Sequence, residues 1–598
     1  MLLNNQNRYS NVSIILIFVV ILSVFFYFGL WKKNRVTLDS PSYYTYLPAA
    51  LIHQDLQLKY IDKNPEYYKN KVWFYRIEGN KKLIKHPAGW SVMMSPFFIA
   101  GHIIAKSTGA VAEGYSMTYQ NAISIGVLIC LLIGLLYLRK ILLDYFSDKV
   151  TAITLLAIVL GTNLLWYSTF EGFMPHTVSF SLLCICIYNF LNWLKEGRSK
   201  FLVGFALALG CSILIRPLAI TVIVYFLIHG FLAKGGMKAF LDFLKPQWKL
   251  IIAAAGITFL IAFVQLAYWK MATGNWLFDV YVDEHFVFSS PQMFAFLFSF
   301  RKGLFVYSPV LIFSIIGFVY LFKKHKDFFW SSVILLTLTV FLLSSWWAWS
   351  YGISWGLRPM IDYYSFLAIP LAAGFTVAFN SGRFFRILGA IALFLFLALN
   401  LFQTWQYKNE LIHYDDMSRE SYFIGFMQTK ESPGWRDHLK PYNWQRRIAG
   451  LSQIEYSNEF IKNYPSSKSV YFRGSNLLYV SSSIQADFVL TCYFNEIGKE
   501  EQFYIERSGD MISIKASNGK YLSHKPHEHD IVVADATFAG ETEKFKMTII
   551  DDNKITLQAL NGKMLSIGEK PPFIIRATEA SGSSSYFRIF SIDDHQTR

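Results

Sequence analysis

Residues 12–31 read VSIILIFVVILSVFFYFGLW, an apolar run that contains no charged residue. A helix of about twenty such residues is long enough to cross the hydrocarbon core of a bilayer. The run is longer than the core of a signal peptide and lacks a small-x-small cleavage site, so we expect it to stay in the protein as a membrane anchor. The segment RVTLDSPSYYTYLPAAL (35–51) follows it closely and places an acid, Asp39, near the membrane exit.

Composition extends this interpretation to most of the chain. The 598 residues are 53% hydrophobic and only 16% charged, whereas soluble domains have roughly 25% charged residues. Similar apolar runs recur and predict a polytopic α-helical membrane protein with about eleven transmembrane helices. We predict spans near residues 12–31, 117–138, 150–167, 174–194, 201–215, 218–233, 250–269, 304–322, 329–345, 361–380 and 384–404.

Loop charge predicts the orientation of these spans. The net charge of +15 comes largely from short loops beside the apolar runs, where Lys and Arg mark the cytoplasmic side, so no nucleic-acid partner is implied. The opposite loops, including 32–116 and 344–364, carry clusters of aromatic and acidic residues and are therefore predicted to be extracytoplasmic. Within the first of them, 88–106 contains Pro96, Gly101 and His102, and we predict an interfacial or re-entrant helix there.

The C-terminal part contains a threefold repeat. The segments VLTCYFNEIGKEEQF, IVVADATFAGETEKF and FIIRATEASGSSSYF end at Phe503, Phe545 and Phe587, and both intervals are 42 residues. Each copy alternates apolar and polar residues around an Asn-Gly or Asn-Leu turn, which is typical of β-hairpins. Three such units predict an all-β β-trefoil over 468–598, similar to fascin-like trefoils, with 405–467 as a connector.

Five short motifs, taken in order, resemble the GT-C superfamily of membrane glycosyltransferases, in particular the protein-mannosyltransferase and aminoarabinose-transferase type. They are LDSPSYYTYLPAAL, KHPAGWSVMMSPFF, FEGFMPHTVSF, KGLFVYSP and WWAWSYGISWGLRPMIDY. The resemblance covers about residues 12–404 and implies a GT-C transmembrane domain over residues 1–404. It also implies a polyprenyl-phosphate sugar as donor, transfer on the extracytoplasmic face, and a glycan, lipid or protein as acceptor.

The resemblance also implies roles for single residues. Asp39 would be the base that orients or deprotonates the acceptor hydroxyl, as a carboxylate within hydrogen-bond reach can do. Many relatives carry two acids in tandem there, but residue 40 is a serine, so Glu171 and His176 in FEGFMPH are the predicted catalytic partners. If a divalent cation takes part, these three side chains would be its ligands. The predicted lipid-phosphate-binding residues are Arg358, Lys85, His86 and Arg216.

Several alternatives remain open at this stage. Asp39 could cap a helix that starts at Pro41, and Arg358 could reach the membrane surface from within an aromatic belt. The enzyme could be a lipid-linked glycan ligase or polymerase, or the chain could be a membrane-anchored glycan-binding scaffold without catalysis. Polar residues are scarce within the predicted spans, which argues against a transporter. We expect a bacterial inner membrane location, with the site and the trefoil in the periplasm.

Overall fold

The computed structural model describes residues 7–77, 81–281, 284–440, 468–476, 478–482, 488–494, 497–551, 554–568, 573–579 and 583–591. The chain divides into a helical unit, Met1–Asp415, and a second unit, Asp416–Arg598. The first residues of the predicted connector, 405–415, therefore belong to the helical unit. Residues 441–467 of that connector lie outside the described residues.

In its described residues, the helical unit has thirteen main helices, with shorter helical turns between them. They are α1 (Arg8–Tyr27), α2 (Gly89–Ser107), α3 (Met117–Leu143), α4 (Asp148–Leu160), α5 (His176–Glu196), α6 (Ser199–Ile215), α7 (Ile223–Ala233), α8 (Met237–Leu244), α9 (Trp248–Thr273), α10 (Ile312–Lys324), α11 (Lys326–Ser345), α12 (Tyr364–Asn380) and α13 (Arg383–Lys408). The short turns that matter for the site are Ser40–Tyr44, Tyr46–Leu51, Leu164–Thr169, Leu304–Tyr307 and Arg358–Ile361.

Among the described residues, 6 helices are long and apolar enough to cross a membrane: α1, α3, α5, the α8–α9 segment, α11 and α13. Shorter apolar helices occur at Ser199–Ile215, Pro217–Ala233 and Tyr364–Asn380. The prediction of a polytopic helical membrane domain is thus confirmed, whereas the count of about eleven spans stays a prediction. One predicted span, 304–322, is interrupted near Pro309, because a proline has no amide hydrogen with which to continue the helical ladder.

Side-chain contacts define one end of the helical unit, which we call the basic end. Asp148, at the start of α4, accepts hydrogen bonds from the amides of Tyr9 and Ser10 at the start of α1 (2.8 and 3.1 Å). Lys195 pairs with Asp144 at 3.0 Å. These contacts join the N-terminus of α1 to two of the Lys- and Arg-rich loops.

The opposite end, which we call the site end, is reached by the chain as it leaves α1. The amide of Arg35 donates to Gln120 in the first turn of α3 (2.8 Å). Helix α2 has both of its ends here: Gly89 packs against Ile215 at the end of α6, and His102 bonds Tyr119 at 2.5 Å. Helix α2 therefore starts and finishes at the site end and does not run through to the basic end.

The second unit contains a closed ring of six antiparallel strands. The strands are β3 (Ser469–Gly474), β6 (Phe503–Ser508), β7 (Met511–Ala516), β10 (Lys544–Asp551), β11 (Lys554–Ala559) and β14 (Phe587–Ser591). Each pairs with the next, and β14 pairs back with β3, which closes the ring. The three phenylalanines that end the repeats are all fully buried in its core.

Three hairpins accompany this ring. They are β4–β5 (Tyr479–Ser481 and Thr491–Phe494), β8–β9 (Tyr521–Lys525 and Ile531–Ala536) and β12–β13 (Met564–Ile567 and Ile575–Thr578). Bridges between the hairpins link Val489 to Val533 and Thr491 to Ile574. A closed six-stranded ring capped by three hairpins is the β-trefoil arrangement, so the repeat predicted this fold correctly. One further hairpin, β1–β2 (Tyr75–Ile77 and Lys81–Leu83), lies in the first long loop of the helical unit.

The repeated residues of the trefoil have structural roles. Asn518 closes its turn by accepting from the Lys520 amide at 2.9 Å and donating to the Ala534 carbonyl at 2.8 Å. Buried Glu543 accepts from the Gly540 amide at 2.9 Å. Asn476 and Glu501 make the corresponding bonds one repeat earlier. The repeat signature is therefore explained by the hydrogen bonds that its turns need.

Candidate functional site

The structure brings Asp39 and Arg358 together although 319 positions separate them in the sequence. An Nη2 atom of Arg358 lies 2.8 Å from Oδ2 of Asp39. Asp39 does precede the short helix Ser40–Tyr44, as the capping alternative supposed, but its side chain makes no capping hydrogen bond. The carboxylate is directed to the guanidinium instead, so an ion pair links the two residues most strongly singled out by the sequence.

The turn before Asp39 explains why residue 40 is not a second acid. The hydroxyl of Ser40 accepts from the Thr37 amide at 2.8 Å and donates to the Thr37 carbonyl at 2.6 Å. Ser40 is 2% exposed, and Leu38 adopts a positive φ of 55°. A carboxylate at position 40 has no hydrogen to donate to the Thr37 carbonyl, so the local backbone favours serine.

Arg358 is carried by the loop between α11 and α12. Its short turn, Arg358–Ile361, has Pro359 as its second residue. Just before this turn, the amide of Trp355 donates to the hydroxyl of Tyr167 (3.2 Å). Trp349 and Trp355 are 3% and 1% exposed. These indoles are packed inside the helical unit and do not lie on its outer surface as an aromatic belt would.

Glu171 lies close enough to this pair to interact electrostatically with both Asp39 and Arg358. Burial raises the pKa of Glu171, and the neighbouring Trp166 indole and Arg358 only partly oppose this. For Asp39, burial also favours the neutral acid, but the charge and hydrogen bond of Arg358, together with the neighbouring His86 and Lys85, outweigh burial and the pKa is lowered. The two carboxyl groups are therefore driven in opposite directions, one towards the charged and one towards the protonated form.

His176 belongs to a neighbouring buried cluster. Its Nδ1 atom lies 3.1 Å from an oxygen of Asp362 and 3.1 Å from Nη1 of Arg216, and Nε of Arg216 lies 3.2 Å from the other oxygen of Asp362. The phenol of Tyr43 interacts with the charges of both Arg216 and Arg358. The Asp362 cluster and the Asp39–Arg358 pair thus flank the same tyrosine.

Lys85 and His86 lie near Asp39 and Tyr43. Nζ of Lys85 is 2.5 Å from Glu284 and also faces the ring of Tyr281 at 4.9 Å. The His86 ring stacks on Tyr43 with centroids 4.3 Å apart. Burial lowers the pKa of His86 to about 3, and the charge of Asp39 only partly opposes this, so the imidazole is neutral near pH 7.

The described part of the chain has no group of three or more His, Cys, Asp or Glu side chains placed to hold a metal ion. Asp39 faces Arg358, and His176 faces Asp362 and Arg216. The structure therefore does not assemble Asp39, Glu171 and His176 as a ligand set. The arrangement that it does assemble is a series of paired charges.

Sequence reasoning missed a buried lysine beside the site. Nζ of Lys302 donates to the carbonyl oxygens of Ser354 and Tyr414, and Nη1 of Arg301 donates to the carbonyl of Asp415 at 2.6 Å. Burial lowers the pKa of Lys302 to about 7. These bonds tie the loop that carries Arg358 to the segment after α13. Lys302 opens the KGLFVYSP motif, which drew attention to the segment but not to this residue.

The acidic partners Asp362 and Glu284 also had no signal of their own in the sequence. Asp362 lies four residues after Arg358, in a motif already chosen for its arginine. Glu284 is one of several acids in the loop 271–286. Their partners are distant in sequence, so only the folded structure identifies them.

No protein-family model matches the chain, and no curated protein matches it. Solved structures with some likeness include the designed threefold-symmetric protein ThreeFoil (12% identity, TM-score 0.19, 20% of this chain and 96% of that chain). The BEL β-trefoil has 13% identity and a TM-score of 0.21, over 23% of this chain and 99% of its own. SeviL bound to asialo-GM1 saccharide has 11% identity and a TM-score of 0.18, over 21% and 96% of the two chains. Since these scores are low, the β-trefoil assignment rests on the strand pairing described above.

Proposed function

We propose that the protein is a membrane glycosyltransferase that transfers a sugar from a polyprenyl-phosphate donor to an acceptor on the extracytoplasmic face. The observation that carries this proposal is the ion pair between Asp39 and Arg358, with Glu171 within electrostatic reach. A glycosyl transfer of this kind needs a carboxylate to accept a proton and a cation to hold the departing phosphate. Both groups are present at one end of the helical unit.

In the proposed reaction, a hydroxyl oxygen of the acceptor forms a bond to the anomeric carbon of the donor sugar. The bond from that carbon to the phosphate oxygen breaks, and its electron pair leaves with the polyprenyl phosphate. The acceptor proton passes to Asp39, whose charged form is stabilised by the Arg358 guanidinium. The guanidinium of Arg358 stabilises the negative charge that develops on the phosphate.

The other side chains of the site take supporting roles in this proposal. Glu171, which lies within electrostatic reach of both Asp39 and Arg358, can accept hydrogen bonds from sugar hydroxyls. His176 holds Asp362, which in turn holds Arg216, so we assign His176 to positioning. Lys85 and Arg216, each paired with a carboxylate, lie beside the Arg358 site and help to position the side chains around it.

The contacts at the two ends of the helical unit support the proposed orientation. Lys- and Arg-rich loops meet at the basic end, and the positive-inside rule assigns such loops to the cytoplasm. The site would then be periplasmic in a bacterial inner membrane, in contact with the lipid donor. The β-trefoil would be on the same side and would bind the acceptor glycan.

A direct test supplies the purified full-length protein with labelled polyprenyl-phosphate hexoses and pentoses and measures transfer of the label. We expect wild-type protein to consume one donor and Asp39→Asn to lose turnover by about 10²-fold or more, since a general base contributes that much. Asp62→Asn is a matched control, because Asp62 lies in the same loop but is 63% exposed and pairs with Lys82. If wild type consumes no donor, or if Asp39→Asn works normally, the proposal is wrong.

Two other functions remain to be distinguished by the same assay. A ligase or polymerase would use a lipid-linked oligosaccharide and would reject the monosaccharide donors, so both kinds of donor should be offered. A scaffold would bind glycan through the trefoil and leave every donor intact. The buried pairing of Asp39 with Arg358 favours an enzyme, because a scaffold has no need for charged groups inside the helical unit.

A further inference from the structure

Each predicted phosphate-binding cation at the site is already paired with a carboxylate. The distances between the paired nitrogen and oxygen atoms are 2.8, 3.2 and 2.5 Å. The pairs are, in that order, Arg358 with Asp39, Arg216 with Asp362, and Lys85 with Glu284.

This balance matters for the binding of a phosphate. An anion that approaches a cation already neutralised by a carboxylate gains little attraction and is repelled by that carboxylate, and the effect is strong where water is excluded. A phosphate therefore binds well only where one of the three carboxylates gives up its partner. The surroundings of each pair indicate which one can do so.

The pairs of Lys85 and Arg216 are held by additional contacts. The Lys85 ammonium faces the rings of Trp73, Tyr75 and Tyr281 at 5.5, 5.2 and 4.9 Å and is 6% exposed. These aromatic faces stabilise the cation where it is.

Asp362 is bound on both of its oxygens, one by His176 and the other by Arg216. Its side chain is only 7% exposed. Separating it from Arg216 would leave a buried carboxylate with a weaker partner, which is costly.

The pair of Asp39 and Arg358 is placed differently. The Asp39 side chain is 30% exposed, compared with 25% for Glu284 and 7% for Asp362, and Arg358 is 16% exposed. Asp39 stands at the start of a short helix without capping it, so moving its carboxylate away from Arg358 breaks no backbone contact. Of the three carboxylates, that of Asp39 can move into water most easily.

We propose that Asp39 and Arg358 form an exchangeable ion pair, in which the phosphate of the lipid donor replaces the Asp39 carboxylate at Arg358. This inference rests on the proposed function. It gives the reaction an order: donor binding frees Asp39, and the freed carboxylate then accepts the proton of the acceptor hydroxyl. In the absence of donor, Arg358 keeps Asp39 occupied.

The exchange has a further consequence for the strength of the base. The Arg358 charge lowers the pKa of Asp39 in the free protein. When a phosphate neutralises Arg358, the guanidinium lowers the pKa of Asp39 less. Burial, which raises that pKa, then has a larger net effect. Asp39 is then a better proton acceptor at the moment when the donor is in place.

The test measures the affinity of a short-chain polyprenyl phosphate, without sugar, for the full-length protein in detergent at one pH. We expect Asp39→Asn to bind this lipid about tenfold more tightly than wild type, because the competing carboxylate is gone. Glu284→Gln is the matched control, since it removes one negative charge from the same site, and we expect its affinity to stay within about threefold of wild type. Arg358→Gln should bind about tenfold more weakly or worse.

Thermal unfolding of each variant shows whether it is folded. If Asp39→Asn does not fold, the lipid affinity of Arg358→Gln tests the exchange instead. The exchange is wrong if Asp39→Asn gains no affinity, if Glu284→Gln gains as much, or if Arg358→Gln binds as well as wild type. Its failure is separable from that of the proposed function. Normal sugar transfer by wild type without an affinity gain in Asp39→Asn contradicts only the exchange, whereas tighter lipid binding without any transfer contradicts only the transferase.

Discussion

Two carboxyl groups of the site have pKa values that their surroundings shift in opposite directions. Asp39 and Glu171 are both largely removed from water, and burial alone would raise the pKa of each. Arg358, 2.8 Å from Asp39, lowers the Asp39 pKa together with His86 and Lys85, whereas Glu171 keeps a raised pKa. Neighbouring acids with oppositely shifted pKa values can act as proton acceptor and proton donor at the same pH.

His86 gives a prediction about pH and stability. Its pKa in the folded protein is about 3, against an ordinary value of 6.5. Between these two values the unfolded chain binds a proton that the folded protein does not, so stability is lost as the pH falls below 6.5. We expect His86→Gln to lose less stability than wild type between pH 6.5 and 5, by up to about 1.4 kcal/mol per pH unit.

The measurement for His86 is the thermal unfolding of the full-length protein in detergent as a function of pH. His527→Gln, which removes an exposed histidine of the trefoil, should follow the wild-type pH dependence. An unchanged slope in His86→Gln would show that the folded protein accommodates the protonated imidazole.

At the residue scale, the sequence motifs identified the cationic side chains of the site more readily than the groups that pair with them. Arg358 and Lys85 stood out because each lies in a motif beside an apolar segment. Glu284 is 199 positions from Lys85, and no local pattern specifies such a contact. The same holds for Lys302, whose hydrogen bonds to Ser354 and Tyr414 depend on how three separate loops come together.

At the level of elements, the trefoil repeat was predictable because its turns need particular residues. Asn518 and Glu543 recur at their intervals since each satisfies backbone groups that a tight turn leaves unpaired. Helix interruptions were harder to predict. The span expected at 304–322 contains Ser308 and Pro309, and hydropathy alone does not register the break that proline causes.

Glu543 allows a test of this structural role. Its side chain is buried and holds the Gly540 amide at 2.9 Å. Glu543→Ala leaves that amide without its acceptor, so we expect the free energy of unfolding of the trefoil to fall by about 1–3 kcal/mol. Urea-dependent pulse proteolysis of the full-length protein measures this change.

The matched control for Glu543 is Glu579→Ala. The Glu579 side chain is 87% exposed, and its ion pair with Lys563 is long, at 4.0 Å. An exposed ion pair contributes little, so this variant should unfold as wild type does. Equal loss of stability in both variants, or none in Glu543→Ala, would contradict the structural explanation of the repeat.

At the scale of the whole molecule, the distribution of charge and the fold of the helical unit agree. Two of the Lys- and Arg-rich loops meet at one end, where Asp144 binds Lys195 and Asp148 binds the start of α1. The residues selected for chemistry meet at the other, where Asp39 binds Arg358. Loop composition could predict this separation because each long apolar helix that crosses the unit carries the chain from one end to the other.

The separation predicts which residues are accessible from each side of the membrane. Lys69, in the first long loop, and Lys324, at the end of α10, are both exposed. We expect a membrane-impermeant maleimide to label Lys69→Cys in intact spheroplasts and to label Lys324→Cys only after permeabilisation. The native cysteines give little background, since Cys184, Cys186 and Cys492 are buried and the other two, Cys130 and Cys211, are half-buried. Labelling of Lys324→Cys in intact spheroplasts, with Lys69→Cys protected, would place the Asp39–Arg358 site in the cytoplasm and exclude an extracytoplasmic donor.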